Sequence, residues 1–211
     1  MIKLDIISDP ICPWCYIGKT NLDRALAKFE TPPFITEWHP FQLNPDMPME
    51  GMDRREYLET KFGGKDAAVK VYASIDQAAK DVGLDLNLGG IDRTPNTIDA
   101  HRLIHWAGLE GKQNNVVDRL FAAYFHEARD ISKASVLVRI AAAAGMDGDS
   151  VRNLLDGEDD KDDLRKRDAH ARERGVGGVP CFIVDNHYAV QGAQSADVWA
   201  NIVTEISEKT A

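Results

Sequence analysis

Apolar and polar positions change period several times along this chain, and each change outlines an element. Ile2 to Ile7 is a short apolar run of strand length, closed by Ser8-Asp9-Pro10. From Asn21 to Phe29, Leu22, Ala25, Leu26 and Phe29 recur at helical spacing. Thr31-Pro32-Pro33 breaks that helix, and Phe34 to Trp38 reads as a second strand. Strand, helix and strand in this order predict a right-handed βαβ unit with parallel strands. Pro40 to Pro48 follows as a stiff loop with three prolines. Two readings of it stand: a connector capping the core, or a wall of a substrate groove in which Asn44 touches substrate.

From Asp53 to Asp163 the period is helical and strand signals nearly vanish. Arg54–Phe62 and Asp66–Val82 read as helices, the first closed by Gly63-Gly64, and Gly83–Thr94 reads as a loop. Pro95-Asn96-Thr97 starts a helix that Gly108 is expected to end. Helices over Asn115–Arg129, Ser135–Ala144 and Asp149–Leu155 complete an α-helical subdomain of about 110 residues, within the usual size of a domain. Beyond it, Gly175 to Gly178 ends a helix and Pro180 opens an apolar strand, Cys181–Val184. Asp185-Asn186 turns that strand into Tyr188–Val190, and Gly192 and Ser195 introduce a last helix carrying Val198, Ile202, Val203 and Ile206.

Composition narrows the function. The chain has 211 residues, enough to bury a real core, and a formal charge of −9, which argues against nucleic acid as a partner. The N-terminus lacks the basic and apolar regions of a secretory signal, and no apolar run approaches membrane-spanning length, so the expected location is cytoplasmic with no membrane partner. In that compartment three cysteines do not make a disulfide framework; they point to catalysis, sensing or burial.

Cys12-Pro13-Trp14-Cys15 lies where the first strand becomes the first helix. Pro13 suits the first helical residue, where a missing N–H costs nothing, and that puts Cys12 at the N-cap. Free backbone N–H groups and the positive end of the helix dipole then favour the Cys12 thiolate. Cys15, three residues on, shares the helical face and can close a disulfide. Cys12 is therefore the expected attacking thiol and Cys15 the shielded resolving one. A zinc site would want four ligands, and no second cysteine pair follows. Two inert buried cysteines would have no use for the Pro13 placement.

Other polar groups weigh less. His101 and His105 have the spacing of two metal ligands, but no catalytic acid lies between them, so no metal is expected. Asp156 to Asp163 suggests a calcium loop until Lys161 stands where glycine is required. Acidic residues followed by Arg165, Lys166, Arg167, Arg172 and Arg174 read instead as a solvated helix suited to its dipole.

Taken together these features resemble the thioredoxin fold with a large α-helical insertion, an α/β architecture similar to the DsbA family. The division expected is a thioredoxin-like domain over 1–52 and 164–211 and an inserted helical subdomain over 53–163. Cys12 to Lys19, Asn96-Thr97 with Ala100-His101, Gly178-Val179-Pro180 and Gly192-Ala193-Gln194 resemble its cytosolic FrnE-like branch. The resemblance implies dithiol–disulfide exchange on a thiol- or disulfide-containing protein or small molecule, with no resident cofactor. It implies a cis-proline loop, Val179-Pro180, lying against Cys12, with Cys12, Cys15 and Pro180 as catalytic residues and Pro13 and Trp14 beside the substrate. Related 2-hydroxychromene-2-carboxylate isomerases and kappa-class glutathione transferases carry serine in place of the attacking cysteine and bind glutathione. Their glutathione positions correspond to Val179 and Gln194-Ser195, so a glutathione-binding isomerase or transferase is the alternative, with glutathione as co-substrate. Keeping Cys12 favours redox work. Trp14 stands where DsbA itself has histidine, which removes a cation beside the thiolate. Cys181 should turn away from Pro180 by strand alternation, into the core. The oligomeric state stays open, a homodimer included.

Overall fold

In the computed structural model, which describes residues 2–210, β1 (Ile2–Ser8) pairs in parallel with β2 (Phe34–Pro40), Ile2 opposite Phe34 and Ser8 opposite Pro40. The crossover between them is α1 (Pro13–Leu26), as parallel neighbours require. On the other side of β1 lies antiparallel β5 (Cys181–Val184), and β6 (Tyr188–Gln191) forms the edge, giving the order β2-β1-β5-β6. Asp185, Asn186 and His187 make the three-residue hairpin turn, with Asp185 and Asn186 at φ 51° and 57°, a conformation these short polar residues tolerate.

Alternation along β1 splits the core between two faces. Leu4 and Ile6 join Leu22 and Ala25 of α1 and Trp199 of α9 (Ala196–Thr210). Trp199 is fully buried and meets Phe182 edge-on, with ring centroids 4.8 Å apart, and Phe34 at 6.4 Å. Ile7 and Cys181 face the other way and pack with Phe41 and Val176.

Between β2 and β5 the chain is almost entirely helical: α2 (Arg54–Phe62), α3 (Lys65–Asp81), α4 (Ile98–Leu109), α5 (Gln113–Phe125), α6 (Ala134–Ala143), α7 (Gly148–Asp156) and α8 (Lys161–Glu173). Two-residue strands β3 (Met52–Asp53) and β4 (Arg93–Thr94) pair within it, too short to leave an alternation in the sequence. Gly108 does not end its helix. The chain runs on to Leu109, and Gly111 at φ 68° takes the left-handed turn instead. No helix among the described residues is long and apolar enough to cross a membrane.

The helical part is fastened to α1 by aromatic packing. Tyr16, one residue past Cys15, stacks on Phe121 of α5 at 4.9 Å, and its hydroxyl meets His126 Nε2 at 2.9 Å. A second fastening is Arg102 of α4, fully buried beneath the end of α7. It donates to the carbonyls of Leu154 (2.6 Å), Gly157 (3.0 Å) and Asp159 (2.8 Å) and pairs with Asp99 at 2.9 Å. The Leu154 carbonyl also takes the Gly157 N–H at 3.2 Å, and the guanidinium supplies the further donors that the end of α7 lacks.

Asp9 ties the end of β1 to the loop after β2. Its carboxylate is fully buried and accepts the N–H of Leu43 at 2.7 Å and of Ile11 at 3.3 Å. Burial outweighs these hydrogen bonds and raises its pKa to about 7. His101 of α4 lies 3.9 Å away with Nε2 lacking a hydrogen-bond partner, and burial lowers its pKa to about 4. The two contribute opposite slopes of stability with pH. The raised Asp9 contribution is complete below the unfolded carboxyl value and is lost as pH rises through about 7. The lowered His101 contribution is complete above the unfolded imidazole value and is lost as pH falls through about 4.

Two outcomes follow from this packing. Arg102→Leu should destabilise the fold by roughly 3–5 kcal/mol in urea denaturation, because buried carbonyls and Asp99 lose their donors. Arg165→Leu, which removes an exposed pair with Asp162, should leave the midpoint nearly unchanged. For Asp9→Asn, the stability deficit relative to the parent chain should shrink between pH 4 and pH 8, by roughly 4 kcal/mol at most. A deficit independent of pH would show that Asp9 is ionised throughout.

Candidate active site

The turn from β1 into α1 sets the position of both thiols. Cys12 N–H donates to the Asp9 carbonyl at 2.9 Å, and the Cys12 backbone stays extended (φ −87°, ψ 113°) at the N-cap, with Pro13 following at the first helical position. Its carbonyl accepts the N–H of Cys15 at 3.1 Å and of Tyr16 at 3.3 Å, which fixes Cys15 one turn on. No disulfide joins the three cysteines.

Both thiols are buried, Cys12 at 3% exposure and Cys15 at 1%, so exposure does not separate them. Their surroundings do. Cys12 lines an open groove, and its Sγ donates to the Val179 carbonyl at 3.6 Å. Cys15 lies outside that lining, and burial first, then its hydrogen bond to Cys12, pushes its thiol well above the ordinary range. The Ser8 hydroxyl and the Asp9 N–H oppose that shift.

Val179-Pro180 is a cis peptide. A Cβ built on Gly18 would lie 3.1 Å from Pro180 Cγ and 3.4 Å from the Ala193 backbone. Glycine at position 18 therefore lets α1 pack against the proline segment that presents the Val179 carbonyl to Cys12.

The groove has a volume of about 270 Å³. Cys12, Pro13, Trp14 and Val179 form one side, with the Trp14 indole 38% exposed. The opposite side comes from α2 and α3 and includes Arg54, Tyr57, Lys61, Phe62 and Tyr72. Arg54 is buried with its guanidinium within 6 Å of the ring centres of Tyr57, Tyr72 and Tyr124. It donates to the hydroxyls of Tyr124 (2.9 Å), Thr94 (3.1 Å) and Tyr72, while Nε has no partner. Lys61 is exposed and donates to the Tyr57 hydroxyl at 2.6 Å. The lining thus carries two cations and no carboxylate.

Of the residues the sequence singled out, Cys12, Pro13, Trp14 and Val179 meet at the groove, with Cys15 and Pro180 adjoining them. Three do not line it. Asn44 accepts from the Tyr57 hydroxyl at 3.0 Å and so braces α2, its Nδ2 buried without a partner. Gln194 donates to the Gln191 carbonyl at 2.6 Å, and Ser195 Oγ accepts from Val198 N–H at 3.3 Å to start α9. Cys181 is fully buried, takes a hydrogen bond from the Gln191 amide at 3.2 Å, and has its pKa raised by burial. His101 and His105 turn to different partners, Asp9 and Arg167. The α2 wall carries no motif in the sequence. Arg54, Tyr57 and Lys61 recur at helical spacing, the one signal that could have marked a shared face.

The family model of the DSBA-like thioredoxin domain matches residues 3–204 of the chain. The chain is 26% identical over 209 residues to the uncharacterized protein YwbO of Bacillus subtilis (strain 168), covering 99% of this chain and 98% of that one. Among solved structures it is similar to a probable DsbA oxidoreductase from Streptomyces coelicolor, with TM-score 0.86 and 30% identity over 97% of this chain and 89% of that one. In fold it is also similar to the cytosolic disulfide reductase DsbM from Pseudomonas aeruginosa, with TM-score 0.71 and 19% identity over 99% and 100% of the two chains. The same protein with GSH gives TM-score 0.66 and 16% identity over 98% and 99%. A match across nearly the whole length, on a sheet whose first strand runs into Cys12-Pro13-Trp14-Cys15 beside a cis-proline, means that the chain belongs to the DsbA-like thioredoxin domain family.

Proposed function

We propose that this protein is a thiol–disulfide oxidoreductase working through Cys12 and Cys15. The observation carrying the proposal is the division between the two sulfurs: Cys12 on the groove against the Val179 carbonyl, Cys15 behind it and hydrogen-bonded to it. Cys12 attacks one sulfur of a substrate disulfide as thiolate. A Cys12–substrate disulfide forms and the second substrate sulfur leaves as a thiolate. Cys15 then gives up its proton and attacks Cys12 Sγ, closing Cys12–Cys15 and releasing the remaining substrate thiolate. Raising the Cys15 pKa keeps that thiol protonated until Cys12 is engaged. An external dithiol or a pair of glutathione-type thiols reduces the pair again, and oxidation of a substrate dithiol runs through the same steps reversed. The substrate is a disulfide or thiol on a protein or small molecule, and the working compartment is the cytoplasm.

The Val179 backbone beside Cys12 would pair with an extended substrate strand. Pro13 and Trp14 flank the same point.

A second reading, a glutathione-binding isomerase or transferase, draws on the charge of the groove. Arg54 and Lys61 without a lining carboxylate suit a small acidic thiol. Gln194 and Ser195, at the start of α9, would hold a carboxylate.

Two experiments separate these readings. In insulin reduction, Cys12→Ser should lower turnover at least a hundredfold. Cys15→Ser should instead accumulate a mixed disulfide visible as an intact-mass adduct. Turnover surviving in Cys12→Ser would reject the mechanism. Calorimetry of Cys12→Ser with glutathione at millimolar concentration reports binding without chemistry. Heat there, with no disulfide turnover in the parent chain, selects the second reading; its absence leaves other disulfides as the substrates.

A further inference from the structure

A second cavity, of about 510 Å³, shares no lining residue with the groove at Cys12. It lies on the sheet face that α8 only partly covers. The register puts Asp5 opposite Ile183, Ile7 opposite His39 and Ile183 opposite Ala189, so these side chains floor one face. Along α8 and just past it, Arg167, His170 and Arg174 recur at helical spacing and supply the wall, with Lys166 beside them. Val176 adds apolar surface, and His187 comes from the β5–β6 turn.

Charge is the unusual property of this cavity. The chain has 34 acidic and 25 basic residues, yet six basic or imidazole side chains surround the cavity and Asp5 is its one acid. Asp5 is already held by Lys3 at 2.9 Å and His39 at 2.7 Å. His170 has Glu173 at 3.9 Å and His187 has Asp185 at 3.8 Å. Among the described residues, Lys166, Arg167 and Arg174 have no carboxylate within ion-pair distance. Arg167, half-buried, instead aims its two terminal nitrogens at the ring nitrogens of His105 and His39, each at 3.2 Å. A guanidinium held between two imidazoles has no counter-ion there and keeps further N–H donors for an anion.

We propose that this cavity binds a small amphipathic anion: one carboxylate or sulfonate on an apolar body. The body lies on Ile7, Val176, Ile183 and Ala189, and the anionic head meets Arg167, Arg174 and Lys166. The volume falls in the range that encloses a drug-sized ligand. Guanidinium groups suit a carboxylate because their paired N–H donors match its two oxygens. The site is separate from disulfide exchange and does not depend on the function proposed above.

Fluorescence titration of the full chain with anilinonaphthalene sulfonate tests it. Binding should saturate at one molecule per chain and be displaced by decanoate but not by decanol. The exposed pair of substitutions Lys166→Glu and Arg174→Glu should weaken binding at least tenfold, whereas Arg174→Lys should weaken it less than threefold. Lys61→Glu, in the Cys12 groove, should leave it unchanged. Amide shift mapping of the parent chain with decanoate should move Ile183 and Ala189, a readout that does not need the variants to fold. Unsaturable binding, equal displacement by decanol, loss in Lys61→Glu, or shifts confined to residues 11–14 would each overturn the proposal.

Discussion

The constraint on which the site depends is the change of hydrogen-bonding direction between Ser8 and Pro13. A strand bonds sideways and a helix bonds along its axis, so the backbone between them must find other partners. Asp9 supplies most of them. Its carbonyl takes the Cys12 N–H and its carboxylate takes those of Ile11 and Leu43, while its own N–H reaches the Cys15 sulfur. Pro13 has no N–H to satisfy. Cys12 is thus held extended at the N-cap, with a helix turn between it and Cys15.

The second thiol contact comes from the far end of the chain. Val179 and Cys12 are separated by 167 residues, and only pairing of β5 with β1 brings them together. Gly18 admits the proline segment at short range, and the Trp199, Phe182 and Phe34 cluster holds α9 to the sheet on the same side. Loss of any of these packings would move the Val179 carbonyl relative to Cys12 without touching either cysteine. The helical segment contributes differently: it leaves the sheet intact and builds the opposite wall of the groove. Arg54 shows how a buried cation is kept there, with three aromatic faces and hydroxyl acceptors doing what a carboxylate would do elsewhere. A neutral aromatic cage leaves the positive potential uncancelled beside Cys12.

Asp9 and His101 also show how burial can set charge near the two thiols. Each is pushed toward its neutral form, the carboxyl upward and the imidazole downward. The core can therefore hold both groups side by side without an ion pair, while the surface keeps its excess of acidic residues.

Elements with strong local signals were legible in the chain alone. Apolar runs and breaking residues marked β1, β2, β5 and β6, and the Pro13 position placed Cys12 at a helix start, because these depend on neighbours within a few residues. Local signals were weaker where length or competition intervened. The two-residue strands β3 and β4 were too short to show a period, and Gly108 was overridden by Gly111 as the turning residue. What faces Cys12 across the groove and what faces α8 across the sheet follow from long-range packing. Arg54 and Tyr72 lie far from Cys12 in sequence, as His39 does from Arg167 and Ile183, and no motif marks them; Val179 alone was legible, through the Gly178-Val179-Pro180 resemblance. They meet because strand pairing and helix packing bring distant segments together, and those contacts depend on how the whole core is filled.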